Sequence, residues 1–203
     1  MTIRLGNITV RISFLFAVFF AVAANITGGQ NILLSFLFSF IHEAVHLVFL
    51  YFSGIKSAEL IFLPGGIKIV CKGLSLLSYK KTVICSLCAP VFNIAAGAFF
   101  YVSYRFLHKE MLLLCCVINL AAGIINLMPM RFLDGGRATE ALLLKRYDTA
   151  GAEKIMSALS SLSVIFLFSL FFAGCIMGRI QIFLLVFCIY CFIGVFSDMG
   201  HKK

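Results

Sequence analysis

Within the run Phe40-Ile-His-Glu-Ala-Val-His-Leu-Val-Phe-Leu50, two histidines and a glutamate interrupt an otherwise apolar stretch. On a helix, His42 and His46 stand four residues apart, one turn above the other on a single face, the spacing at which two imidazoles ligate one zinc ion. Glu43, beside the first of them, is placed to act as a base on water at the metal and not to hold the metal. With four His and five Glu among 203 residues, HExxH arises by chance about twice in a thousand chains of this composition. The pattern is a strong pointer to a metal site with a base next to it.

A catalytic zinc takes three protein ligands and leaves one position for water, so a third ligand is needed. The best candidate is Asp134, in Asn126-Leu-Met-Pro129-Met-Arg-Phe-Leu-Asp134-Gly135-Gly136. Pro129 would end the preceding helix, and the two glycines permit a tight backbone path that brings the carboxylate round. On local sequence alone, Asp134 serves equally well as the cap of a following helix. Glu140 is a fallback ligand, further toward solvent. Asn93 and Asn126, near the expected level of the site, are candidates for hydrogen-bonding substrate backbone or an oxyanion, or else for pinning helices together.

The setting of these residues is apolar. The chain is 62% hydrophobic and 12% charged, with a mean hydropathy of +1.08, where an ordinary soluble domain carries about a quarter charged residues. The expected fold is an all-α polytopic membrane protein, one domain over 1–203, with six transmembrane helices near 12–25, 31–52, 82–104, 111–128, 160–177 and 181–196. Burying Glu or His in hydrocarbon is costly unless the group is paired, ligated or hydrated. Of the eight acids, Glu43 alone lies mid-span. Residues 12–25 also resemble a secretory signal, with Arg4 and Arg11 ahead of them and Ala21-Val22-Ala23 as a cleavage point; a retained span is preferred because helices must pack around the metal.

Between Ser53 and Lys81 the character changes. Residues 58–63 and 67–72 read as two short strands about Pro64-Gly65-Gly66, a membrane-associated β-hairpin after the second span. Its first strand is expected to offer an edge to an extended substrate. Residues 131–157 read as a solvent-side loop with helical character from 138 to 159. Fourteen of the 17 basic residues fall in the N-terminus, the 53–81 and 131–157 loops and the tail His201-Lys202-Lys203, against three, Arg105, Lys109 and Arg179, in the alternate loops. That asymmetry predicts cytoplasmic termini and a metal site nearer the cytoplasmic side. The net charge of +9 therefore anchors the chain in a bilayer, and no nucleic-acid partner is expected.

The residues resemble a known family, the site-2 proteases, which are intramembrane zinc proteases, and within it the group typified by the stage IV sporulation protein FB. The resemblance rests on HEAVH at 42–46, on Asn126-x-x-Pro129-x-x-x-x-Asp134-Gly135 and, more weakly, on Ala89-Pro90-x-x-Asn93. It implies that His42, His46 and Asp134 hold Zn2+, that Glu43 is the catalytic base, and that a membrane-tethered protein is cut within or next to the bilayer. In the sporulation group that substrate is an inactive sigma-factor precursor, and membrane regulators are further partners. Many members carry a nucleotide-sensing CBS domain after the last span; this chain ends seven residues past Phe196, so none is expected.

Two rival functions use the same histidines: a membrane metal transporter, which has no need of Glu43 as a base, and an inactive homologue that binds substrate without cutting it. The eight cysteines, including Cys85-x-x-Cys88 and Cys188-x-x-Cys191, lie nearly all within spans and read as small hydrophobes.

Overall fold

The computed structural model describes residues 2–5, 8–27, 29–63, 66–71, 73, 77–178 and 182–200. Among them the order is β1 (Thr2–Leu5), β2 (Ile8–Ile12), α1 (Phe14–Thr27), α2 (Gly29–Phe52), β3 (Ala58–Leu63), β4 (Gly66–Val70), α3 (Tyr79–Leu107), α4 (Glu110–Asn126), α5 (Asp134–Leu144), α6 (Thr149–Ile176) and α7 (Ile182–Gly200). The turn residues Pro64 and Gly65, Lys72, Arg179 and the tail from His201 lie outside the described residues.

The protein is mostly helical, and each of the six apolar segments falls on a helix. Three of these, α2, α3 and α6, are long and apolar enough to cross a membrane; α4 and the stretch Leu184–Val195 are shorter apolar helices. Contacts group the chain into two compact units, Met1–Ile125 and Asn126–Lys203.

In the first unit β3 and β4 pair as the expected antiparallel hairpin, but the hairpin belongs to a larger sheet and its first strand is not an edge. The sheet has four strands in the order β1-β2-β3-β4, with β2 parallel to β3 and the other pairs antiparallel. The N-terminal residues supply two of them because Thr2–Leu5 and Ile8–Ile12 alternate polar and β-branched or aliphatic side chains, the period of a strand. β3 is therefore interior. Ala58 to Phe62 pair with β2 and Glu59 to Leu63 with β4, so this strand has no edge to offer a substrate, and the outer edges belong to β1 and β4. Arg11 and Glu59 bridge β2 to β3 at 2.6 Å.

Aromatic rings fasten the sheet to the helices. Phe16 of α1, Phe36 of α2 and Phe62 of β3 meet with centroids 5.5 to 6.0 Å apart, and Phe20 stands 5.4 Å from Phe36. α2 packs on α3, with Phe38 against Phe100. α3 and α4 approach closely through glycines, as membrane helices do where small residues let backbones near each other. A Cβ on Gly123 would lie 2.8 Å from the Ile94 side chain and 3.0 Å from the Pro90 carbonyl.

The second unit is built around Met130, wholly buried among Val164 and Leu167 of α6 and Cys188, Cys191 and Val195 of α7. The expected loop at 131–157 contains α5 and the first turns of α6. They break at 145–148, where Asp148 caps α6 by accepting the Gly151 amide at 3.1 Å.

Candidate metal centre

His42 and His46 both project from the buried face of α2, with 5% and 6% of their surface exposed. Their rings stand one turn apart with centroids 5.0 Å from each other. A backbone partner orients the second ring: His46 Nδ1 lies 2.9 Å from the carbonyl of Cys85 on α3. A carbonyl only accepts, so Nδ1 carries the hydrogen and the Nε2 lone pair is left for a metal. The same oxygen accepts the Cys88 thiol at 3.0 Å, which keeps that thiol's hydrogen engaged with the backbone.

The carbonyl sits in a turn altered by proline. Pro90 has no amide to give the Ser86 carbonyl four residues back, so α3 continues but lacks one ladder hydrogen bond next to the residue that holds His46. Glu43 is half-buried, next in sequence to His42 and about 100° round the helix.

Asp134 is the first residue of α5 and is 7% exposed. It is not the cap of that helix. The cap position falls on Leu133, which makes no side-chain capping bond. The two glycines after Asp134 act differently from the expectation too. Neither has positive φ; what each requires is the absence of Cβ. A Cβ on Gly135 would overlap the Leu127 carbonyl, and one on Gly136 the Met130 carbonyl. The chain entering α5 is thereby packed against the start of the helix, where Ser160 of α6 also donates to the Pro129 carbonyl at 3.2 Å.

Backbone cannot yield as a side-chain tip can, so Gly136→Ala should cost at least the 1–3 kcal/mol (order of magnitude) typical of overpacking. The expected result is a lower thermal midpoint together with a lower zinc content in purified protein; an unchanged midpoint would mean the overlap is relieved cheaply.

His42 and His46 in the first unit and Asp134 in the second are each buried, and each offers an atom of the kind that ligates a metal ion, so the three are the candidate ligand set. Two neutral imidazoles and a carboxylate suit zinc. Glu140, half-buried on α5, is not in this candidate set. Six positions along α5 at 100° each turn it some 240° away from Asp134 (roughly, by ideal helix geometry). Asn93 is wholly buried on α3, and neither of its amide atoms has a hydrogen-bond partner among the described residues. Asn126 closes α4 and is half-buried.

What sequence reasoning missed here is the Cys85 carbonyl. No residue type signals a backbone acceptor, although Pro90 marks where the helix ladder is broken.

Comparison with known proteins adds the following. The model of a protein family, peptidase family M50, matches residues 66–170, just over half of the chain. That stretch contains Asp134 and Asn93 but not the histidine pair. Among solved structures, the Site-2 Protease from Methanocaldococcus jannaschii superposes with a TM-score of 0.68 at 20% identity, over 97% of this chain and 94% of that one. The fold is shared. No curated protein sequence matches.

Proposed function

Since the chain belongs to peptidase family M50 and is an integral membrane protein with three candidate spanning helices, we propose that it is a zinc-dependent endopeptidase that cuts a membrane-tethered protein within or next to the bilayer. The observation that carries this is the buried pair His42 and His46, one turn apart on α2, with Glu43 next to His42 in sequence. His42, His46 and Asp134 would hold the ion. Zinc at such a site supplies acidified water and polarises the scissile carbonyl.

The rest falls to side chains. His46 is held in one tautomer by Cys85, so its ligating nitrogen is unprotonated before metal arrives. Glu43 takes the proton from water and passes it to the leaving amine nitrogen, a base and then an acid at the same carboxylate. Asn93, with both amide atoms unpartnered among the described residues, and Asn126 hydrogen-bond the substrate backbone, whose amides are presented in extended form.

The finer reading is that α1, α4 and α7 complete a set of six spans, that both termini face the cytoplasm, and that the site lies nearer that side. The motif order is that of the sporulation group, and a sigma-factor precursor is the substrate we assign within it.

The test is co-expression with membrane-tethered candidates, followed by purification and cleavage in detergent. Cleavage should disappear on chelation and return with added zinc. Asn93→Ala should slow it without changing zinc content. Cleavage that persists in metal-free protein would refute the hydrolytic assignment, and an unchanged Asn93→Ala rate would remove that residue from substrate contact.

A further inference from the structure

Where α2 ends and α3 begins, the first unit encloses a second polar feature that the metal chemistry does not use. α2 stops in a Schellman motif: Gly54, at φ +96°, donates to the Tyr51 carbonyl at 3.1 Å and Ile55 to the Leu50 carbonyl at 3.0 Å. The chain leaving this stop, with Gly73, Leu77, Ser78 and Lys81 ahead of and in the first turn of α3, lines an open cavity of about 520 Å³, within the size range of small-molecule sites. Its lining is rich in donors. Lys56 and Lys81 contribute ammonium groups, and Ser53, Ser57 and Ser78 contribute hydroxyls. Ser78 Oγ accepts the Lys81 amide as the cap of α3, which leaves its own hydrogen able to donate to a further acceptor.

Among the described residues, no acidic side chain lines this cavity. The single acid between residues 53 and 81 is Glu59, and it is engaged by Arg11 on the sheet. Among the described residues, neither Lys56 nor Lys81 has a carboxylate partner. Two uncompensated ammonium groups with three hydroxyls, at the start of a 29-residue helix whose dipole favours negative charge, match an acceptor with several oxygens and at least one full charge. The position narrows the source. α2 is a candidate span that ends at Phe52, and a spanning α2 would put Ser53 and Lys56 where bilayer hydrocarbon gives way to headgroups.

We propose that this cavity is a binding site for a phosphate group, carried by an anionic lipid headgroup or by a free phosphate compound. A bound phosphate would tie the end of the helix bearing His42 and His46 to the start of the helix whose Cys85 carbonyl orients His46. The site stands on its own residues and does not depend on the protease assignment.

The experiment uses full-length protein in neutral detergent, titrated in separate arms with dioctanoyl phosphatidylglycerol and with inorganic phosphate, and read by native mass spectrometry and thermal midpoint. Saturable binding of one equivalent is expected in at least one arm, and the arm that binds identifies the source. Because hydrogen bonds to charged groups dominate such a site, Lys56→Gln with Lys81→Gln should weaken binding by at least about tenfold. Lys68→Gln with Lys80→Gln removes the same charge outside the cavity and should change binding less than about twofold. Lys56→Arg with Lys81→Arg should retain it. Equal losses in the two Gln pairs, or no saturable binding in either arm, would overturn the proposal and leave only diffuse attraction between a basic loop and anions.

Discussion

Glu43→Gln is expected to reduce cleavage of a membrane-tethered substrate by about 10²–10⁴-fold, the contribution of a positioned general base, while zinc content stays at the wild-type level. The substitution keeps volume and hydrogen-bonding shape but removes the basic oxygen that water's proton must reach. Metal content should not follow, because the proposed ligands are His42, His46 and Asp134 and Glu43 is assigned the base alone. Folding should survive as well: the residue is half-buried and its replacement is isosteric. Measuring zinc by elemental analysis and cleavage on the same preparation separates the alternatives. Loss of zinc would make Glu43 a ligand or a structural residue, and cleavage within tenfold of wild type would mean that another group takes the proton. A metal transporter would lose neither.

Asp134→Ala should behave in the opposite way, losing zinc first and activity as a consequence. Changes to outer-shell partners of a metal ligand cost about 10–100-fold in affinity, and removal of a ligand itself should exceed that. The competing role is small by comparison. As a first-turn acid on α5, Asp134 gains about 0.3–1 kcal/mol from the helix dipole. Arg137, 4.0 Å away and half exposed, adds little. Since Leu133 and not Asp134 holds the cap position, the variant should fold with a nearly unchanged thermal midpoint. Stoichiometric zinc in Asp134→Ala protein would sink the three-ligand site. A collapsed midpoint with zinc retained in the folded fraction would show instead that the carboxylate serves the helix.

Much of the site was legible because its geometry is local. Placing His42 and His46 on one face needs only the helical repeat, and an apolar run of this length has no other regular state in lipid. The six apolar segments became helices for the same reason. Asp134 was reachable by a chemical requirement, that zinc needs a third ligand, together with the order of motifs in a resembling family; its burial could not be read from neighbours that would equally suit a cap.

The parts that escaped notice are those where distant segments meet. Residues 2–12 alternate as strands do, but a strand's place in a sheet depends on its partners. Only pairing with β2 made β3 interior and withdrew the edge that the hairpin alone would have shown. Gly135 and Gly136 looked like conformational devices, yet their dihedrals are ordinary and their use is steric, against backbone six to eight residues earlier.

By itself, the amino-acid order determined which residues could do the chemistry and which segments are helical, because both follow from periodicity and transfer free energy within a single segment. Tertiary structure alone decided which nitrogen of His46 faces a metal, since that depends on a carbonyl 39 residues away. It decided equally that Leu133 takes the cap position of α5 and that Asp134 is buried in the first turn, because hydrogen bonds and close packing between remote segments leave no trace in local residue types.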